Sequence, residues 1–191
     1  MEPMIRGYSV KQQLHYLETQ FDPATSSSLK QTIPDDIRTR LGDLKAAEWY
    51  PRSYSIGVLR AIVRHHADDE KAAYEDLARC GTFIAKEATN TFLKLLMKVL
   101  TPTLFAKKIP EFWKRDHTGG HFTVETSGAK DGVLQLELCD VEGFDHIGVV
   151  AIGWLSYGLT AMGKVGVVVT QTGWKLANPG PKSIQYHVRW T

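Results

Sequence analysis

Few residues of this chain have the types and spacing that chemistry requires. Gly158-Leu159-Thr160-Ala161-Met162-Gly163-Lys164 matches the opening of a phosphate-binding loop, G-x-x-x-x-G-K, but Val165 stands where the Mg²⁺-binding hydroxyl belongs. A phosphate loop also needs its glycines at a helix N-terminus, where amides and dipole converge. Here an apolar helical pattern precedes the loop and a strand pattern follows it. Gly163 therefore reads as a helix terminator, and no nucleotide site is expected.

His65-His66-Ala67-Asp68-Asp69 gathers metal-ligand types, yet adjacent histidines on a helix point about 100° apart. The expectation is a solvated helix end. His117-Thr118-Gly119-Gly120-His121 has the histidine spacing of a zinc helix motif but lacks its Glu and carries two glycines, which predicts a loop before a strand. Cys80 and Cys139, the only two cysteines, cannot build a disulfide framework or a four-cysteine zinc site, and both read as inert. No carboxylate pair, Gly-x-Ser-x-Gly elbow or Cys–His arrangement stands out. The chain is expected to be no enzyme and to hold no metal.

The elements that must position any site follow from periodicity. Ser9 can cap a helix to about Phe21, Asp22-Pro23 and Pro34-Asp35-Asp36 open two more, and Trp49-Tyr50-Pro51 breaks the pattern. Ser55 can start a helix with Ile56, Leu59, Ile62 and Val63 on one face. One long helix is expected over Asp68–Leu100, because Leu77, Gly81, Ile84, Ala88, Phe92, Leu95 and Val99 recur at spacings of three and four. Pro102 permits a further start. After Gly119-Gly120 the period changes to two: strands are expected over Phe122–Thr126, Val133–Leu138, Val165–Thr172 and Ile184–Trp190, with an apolar helix over Ile147–Met162 after the second. Glycines at 143, 148, 153, 158 and 163 suggest close helix-to-sheet packing, or else a cavity beside Trp154 and Tyr157. Trp154 is expected against the sheet. The fold class is α+β in one domain, 1–118 mainly helical and 119–191 a sheet with one buried helix.

Composition sets the outer limits. The 191 residues carry 23 basic and 21 acidic side chains, and no basic tract that would neutralise phosphates, so nucleic acid is not an expected partner. Ile147–Gly163 is uncharged but shorter than the roughly 20 apolar residues of a membrane span. Met1–Arg6 has no apolar signal region, which makes the cytoplasm the expected location.

Arg6-Gly7, Trp49-Tyr50-Pro51, Cys80-Gly81, Thr101-Pro102, Pro110-Glu111-Phe112-Trp113, Gly153-Trp154-Leu155, Val167–Thr170 and Tyr186–Trp190, in that order, resemble a family of uncharacterised myxobacterial proteins of about this length. That family is similar, more distantly, to the superfamily of haem nitric-oxide-binding sensors, 4-vinyl reductase domains and transport-protein-particle (TRAPP) subunits. The resemblance implies helices packed on a twisted antiparallel sheet of four or five strands, with a ligand or acyl chain between them and frequent dimers. Haem sensors of the superfamily carry Tyr-x-Ser-x-Arg, which Tyr50-Pro51-Arg52-Ser53-Tyr54 does not reproduce, and residues 165–191 lack the cysteines of related reductase domains. No haem or zinc ligand thus carries over residue by residue.

The leading expectation is a non-enzymatic, sensor-like or assembly module of signalling type. It would bind an apolar small molecule, a protein partner, or both, between helices and sheet, as a homodimer and without a cofactor. Phe83, Phe92, Trp113, Trp154 and Tyr157 are the expected lining. The alternative is a haem-binding gas sensor with His65, His66, His117, His121 or His146 as axial ligand.

Overall fold

The computed structural model describes residues 2–66, 68–89, 97, 99–140, 145–172 and 182–191. Strand β1 (Met4–Arg6) runs directly into helix α1 (Gly7–Gln20). Ser9 does not cap this helix, which starts earlier: the amides of Gly7 and Tyr8 donate to the carbonyls of Glu48 (2.8 Å) and Ala46 (3.0 Å). A distant loop satisfies donors that a local cap was expected to serve. α2 (Pro23–Gln31) opens as expected, the Asp22 carboxylate accepting from the Ala24 (3.0 Å) and Thr25 (3.1 Å) amides. α3 (Asp35–Arg38) has its acids in the first turn. Trp49-Tyr50-Pro51 does more than break a pattern, because it forms β2 (Trp49–Pro51), antiparallel to β1 with Ile5 opposite Tyr50.

α4 (Ser53–His65) starts ahead of Ser55. The single long helix is corrected to α5 (Glu70–Ala88), capped by the Asp69 carboxylate on the Ala72 amide at 2.9 Å. It stops at Thr89, whose backbone is extended (φ −98°, ψ 93°). Thr89-Asn90-Thr91 are poor helix formers, a local property that an apolar stripe does not reveal. α6 (Pro102–Asp116) is capped by Thr101 and passes through Pro110, and α7 (Asp145–Ala161) is followed by Gly163 at φ +83°. Among the described residues no helix is long and apolar enough to cross a membrane.

Strands β3 (His121–Glu125), β4 (Val133–Cys139), β5 (Val168–Thr172) and β6 (Ser183–Arg189) form one antiparallel sheet in the order β3-β4-β6-β5. Its buried face carries Leu134, Leu136 and Leu138 beside Ile184, Tyr186 and Val188. The expected α+β arrangement holds. The glycine series of α7, however, serves three neighbours rather than the sheet alone. A Cβ at Gly148 would strike Ile184 of the sheet, at Gly153 the Ala78 carbonyl of α5, and at Gly158 the Phe105 ring of α6. Gly81 of α5 meets the Val150 carbonyl in the same way. α5 and α7 are therefore in backbone contact.

Candidate ligand-binding cleft

Where α1, α5, α6 and α7 meet the start of β3 they leave a half-open cleft of about 100 Å³. Its walls are apolar and largely aromatic, with Ile84, Ile109, Phe112, Trp113, Phe122 and Trp154. Its polar groups are Tyr8, Ser9, Gln13, Arg115, Asp116 and His117. α6 supplies the rigid part of the aromatic wall: the Trp113 indole donates to the Gly119 carbonyl at 2.9 Å and packs edge-on to Phe122 at 5.4 Å. The His117 ring lies parallel on Trp113, with centroids 3.8 Å apart.

Two polar atoms of this lining are left over. The Oε1 of Gln13, on a residue only 3% exposed, is buried without a hydrogen-bond partner, and so is Nδ1 of His117. Burial, and then the nearby Arg52 charge, push the His117 imidazole down to about 3, so it is neutral at physiological pH. Arg52 is itself buried, and Gly119 leaves the room its guanidinium occupies. By contrast Arg115 and Asp116 satisfy each other through two contacts, at 3.0 and 2.8 Å. Burial raises the Tyr8 phenol, with Asp116 and Glu87 adding to it against Arg115, so it stays protonated.

Of the five residues expected to line a site, Trp113 and Trp154 do so. Trp154 is not on the sheet: it is half-buried, stacks on Phe105 (5.6 Å) and meets Phe112 edge-on (5.7 Å), both of α6. Phe83 sits elsewhere, against Tyr16 (5.5 Å) and His15 (5.4 Å). Tyr157 does not line the cleft, and Phe92 lies outside the described residues. Gln13 and His117 were not among the five. Gln13 had a signal, since it shares the α1 stripe with Val10 and Leu17 and is the polar member of that buried face.

A second polar cluster joins α1, α4 and α5. The Asp76 carboxylate, 3% exposed, accepts from the Tyr16 hydroxyl and from Arg79 (3.0 and 3.2 Å), and pairs with His66 Nε2 at 2.9 Å. Burial alone would raise the Asp76 carboxyl; its hydrogen bonds from Tyr16, His66 and Arg79 outweigh that and hold it below the ordinary carboxylate range. His66 is thus no solvated helix end, while neighbouring His65 packs edge-on to Phe21 at 5.2 Å. Burial, then the Asp76 charge, push the Cys80 thiol up, which keeps it an unreactive core group. Of the remaining histidines, His121 meets Asp140 at 3.3 Å on the exposed start of β3, and His146 is buried in α7 away from the cleft. Among the described residues, no three His, Cys, Asp or Glu side chains converge to hold a metal.

No protein-family model and no curated protein matches the chain. Solved structures do. The H-NOX protein from K. algicida, in its unliganded Fe(II) form, superposes with a TM-score of 0.73 over 98% of this chain and 97% of its own, at 12% identity. The H-NOX protein from S. oneidensis in the Fe(II)NO state gives 0.67 over 98% and 99%, also at 12% identity. An oxygen-binding H-NOX domain related to soluble guanylate cyclases gives 0.63 over 98% and 95%, at 8% identity. The chain has the H-NOX fold.

Proposed function

We propose that this chain is a sensor-like domain that binds a small, mainly apolar molecule in the cleft between its helices and its sheet and performs no covalent chemistry on it. The observation that carries the reading is the cleft itself. It is a concave, aromatic-walled space with a few polar groups, which is the composition of small-molecule sites generally. The non-enzymatic part rests on the polar inventory. Arg115 and Asp116 neutralise each other, and both cysteines carry thiols that burial raises.

A haem-binding gas sensor is the second reading, favoured by the likeness to H-NOX proteins described in Fe(II), NO and oxygen states. The residues described here do not fit haem. Sites for drug-sized ligands run to roughly 300–1,000 Å³, against about 100 Å³ for this cleft. The backbone contact of α5 with α7 at Gly81 and Gly153 leaves no slot for a planar macrocycle between those helices. His117 is the histidine of the cleft, and the burial and the Arg52 charge that disfavour its proton disfavour a metal cation as well. The test is to titrate haemin and, separately, toluene into the purified protein. Toluene is expected to raise the melting temperature and haemin to give no Soret band at one equivalent. A stoichiometric, protein-bound Soret band would replace this reading with the second one.

A further inference from the structure

The unpartnered atoms of the cleft specify its ligand further. The wall and the space set the body: about 100 Å³, open on one side, is short of the roughly 150 Å³ of an apolar cavity that admits benzene, so the cleft has room for no more than one ring. Phe112, Trp113 and Trp154 offer aromatic faces and edges for that ring. The orphaned atoms set its polar group. Gln13 Oε1 is a buried acceptor, and neutral His117 offers Nδ1 as an acceptor when its proton is on Nε2. Buried polar atoms of native proteins are almost always paired, and a buried acceptor left alone costs stability that a donor would recover. For Gln13 Oε1 what is missing is a donor, and the same holds for His117 in its Nε2–H form.

Charge narrows the choice. A carboxylate brings only acceptors, which the orphaned Gln13 Oε1 cannot use, and the cation of the lining, Arg115, is already held by Asp116. An ammonium would meet the Arg52 charge beside His117. We propose that the cleft takes a neutral, single-ring aromatic compound carrying a hydroxyl, of the phenol class, whose O–H donates to Gln13 Oε1 or His117 Nδ1. This rests on the small-molecule reading of the cleft and adds the chemistry of the ligand.

The experiment is a calorimetric titration of the purified chain with phenol, toluene, benzoate and benzylamine. Phenol is expected to bind about tenfold tighter than toluene, the worth of one hydrogen bond to a buried unpaired acceptor, and the two charged compounds weaker than either. Gln13→Leu and His117→Phe, the latter keeping a ring on Trp113, are each measured after a melt confirms folding. At least one is expected to abolish phenol's advantage over toluene. If phenol and toluene bind equally, or benzoate binds best, the hydroxyl donor is wrong although the cleft remains a site. If none of the four binds, the small-molecule reading falls with it.

Discussion

Two buried polar clusters share helix α1 and are built in opposite ways. At one, Tyr16 of α1 and His66 and Arg79 converge on Asp76 of α5, and a carboxylate 3% exposed is tolerated because donors surround it. At the other, Gln13 of α1 and His117 face a cleft beside α5, and each keeps a buried atom without a protein partner. The first cluster is closed on itself and holds α1 and α4 to α5. The second costs stability as it stands, a cost that the proposed ligand would recover. Hydrogen-bond satisfaction, more than residue type, separates the scaffold cluster from the candidate site.

The sharpest way to break that contrast is to remove the acceptor of the closed cluster. Asp76→Ala would strand His66 and leave the Tyr16 hydroxyl only the backbone carbonyl of residue 76, at 3.4 Å, and is expected to cost about 3–5 kcal/mol, as for a buried pair that loses one partner; Arg79, 64% exposed, adds little. Urea denaturation measures it, and a loss below about 1 kcal/mol would reduce the cluster to the level of a surface pair. Next in size is Trp154→Ala. Truncating a fully buried Trp typically costs about 3–5 kcal/mol, but this ring is half-buried and walls the cleft. A loss of about 1–3 kcal/mol is expected by the same measurement.

Acid separates the clusters by where stability is lost. His117 has a folded-state value pushed down to about 3 from 6.5, so it contributes stability above pH 6.5 that is lost as pH falls toward 3. Asp76 is likewise depressed, from 3.8, so its contribution persists to more acid conditions and goes only as pH falls through that lower value. Melting temperature against pH should begin to fall near 6.5 in the wild type, and in His117→Phe should hold until the carboxylate range. An unchanged profile would mean that His117 is protonated in the fold. The smallest effect carries the opposite sign. Gln13→Leu removes an unsatisfied atom and should stabilise the ligand-free protein by about 1 kcal/mol, whereas Tyr16→Phe should destabilise it by about 1–3 kcal/mol.

Most of the fold was legible in the sequence because periodicity reports burial directly: the change of period after Gly120 marks the passage from helices to sheet, and Asp22, Asp35 and Gly163 punctuate helices as their chemistry requires. What was not legible depends on distant partners. The carbonyls of Ala46 and Glu48 start α1, and the pairing of Trp49–Pro51 with Met4–Arg6 makes strands of segments too short to show alternation. The site was half legible. Trp113 and Trp154 stood out as large aromatics, but aromaticity alone also selected Phe83, which packs on Tyr16. The more informative signal was a polar residue inside an apolar stripe, Gln13 between Val10 and Leu17 and Asp76 between Ala73 and Leu77. Which of the two has partners is a tertiary fact.

Whether the cleft holds its polar atoms open for a ligand is decided by a crystal structure of the protein soaked with phenol. Phenol is expected between Trp113 and Trp154, its hydroxyl within hydrogen-bond reach of Gln13 Oε1 or His117 Nδ1. A cleft in which protein groups or ordered waters already satisfy both atoms, with phenol bound elsewhere or not at all, would contradict it.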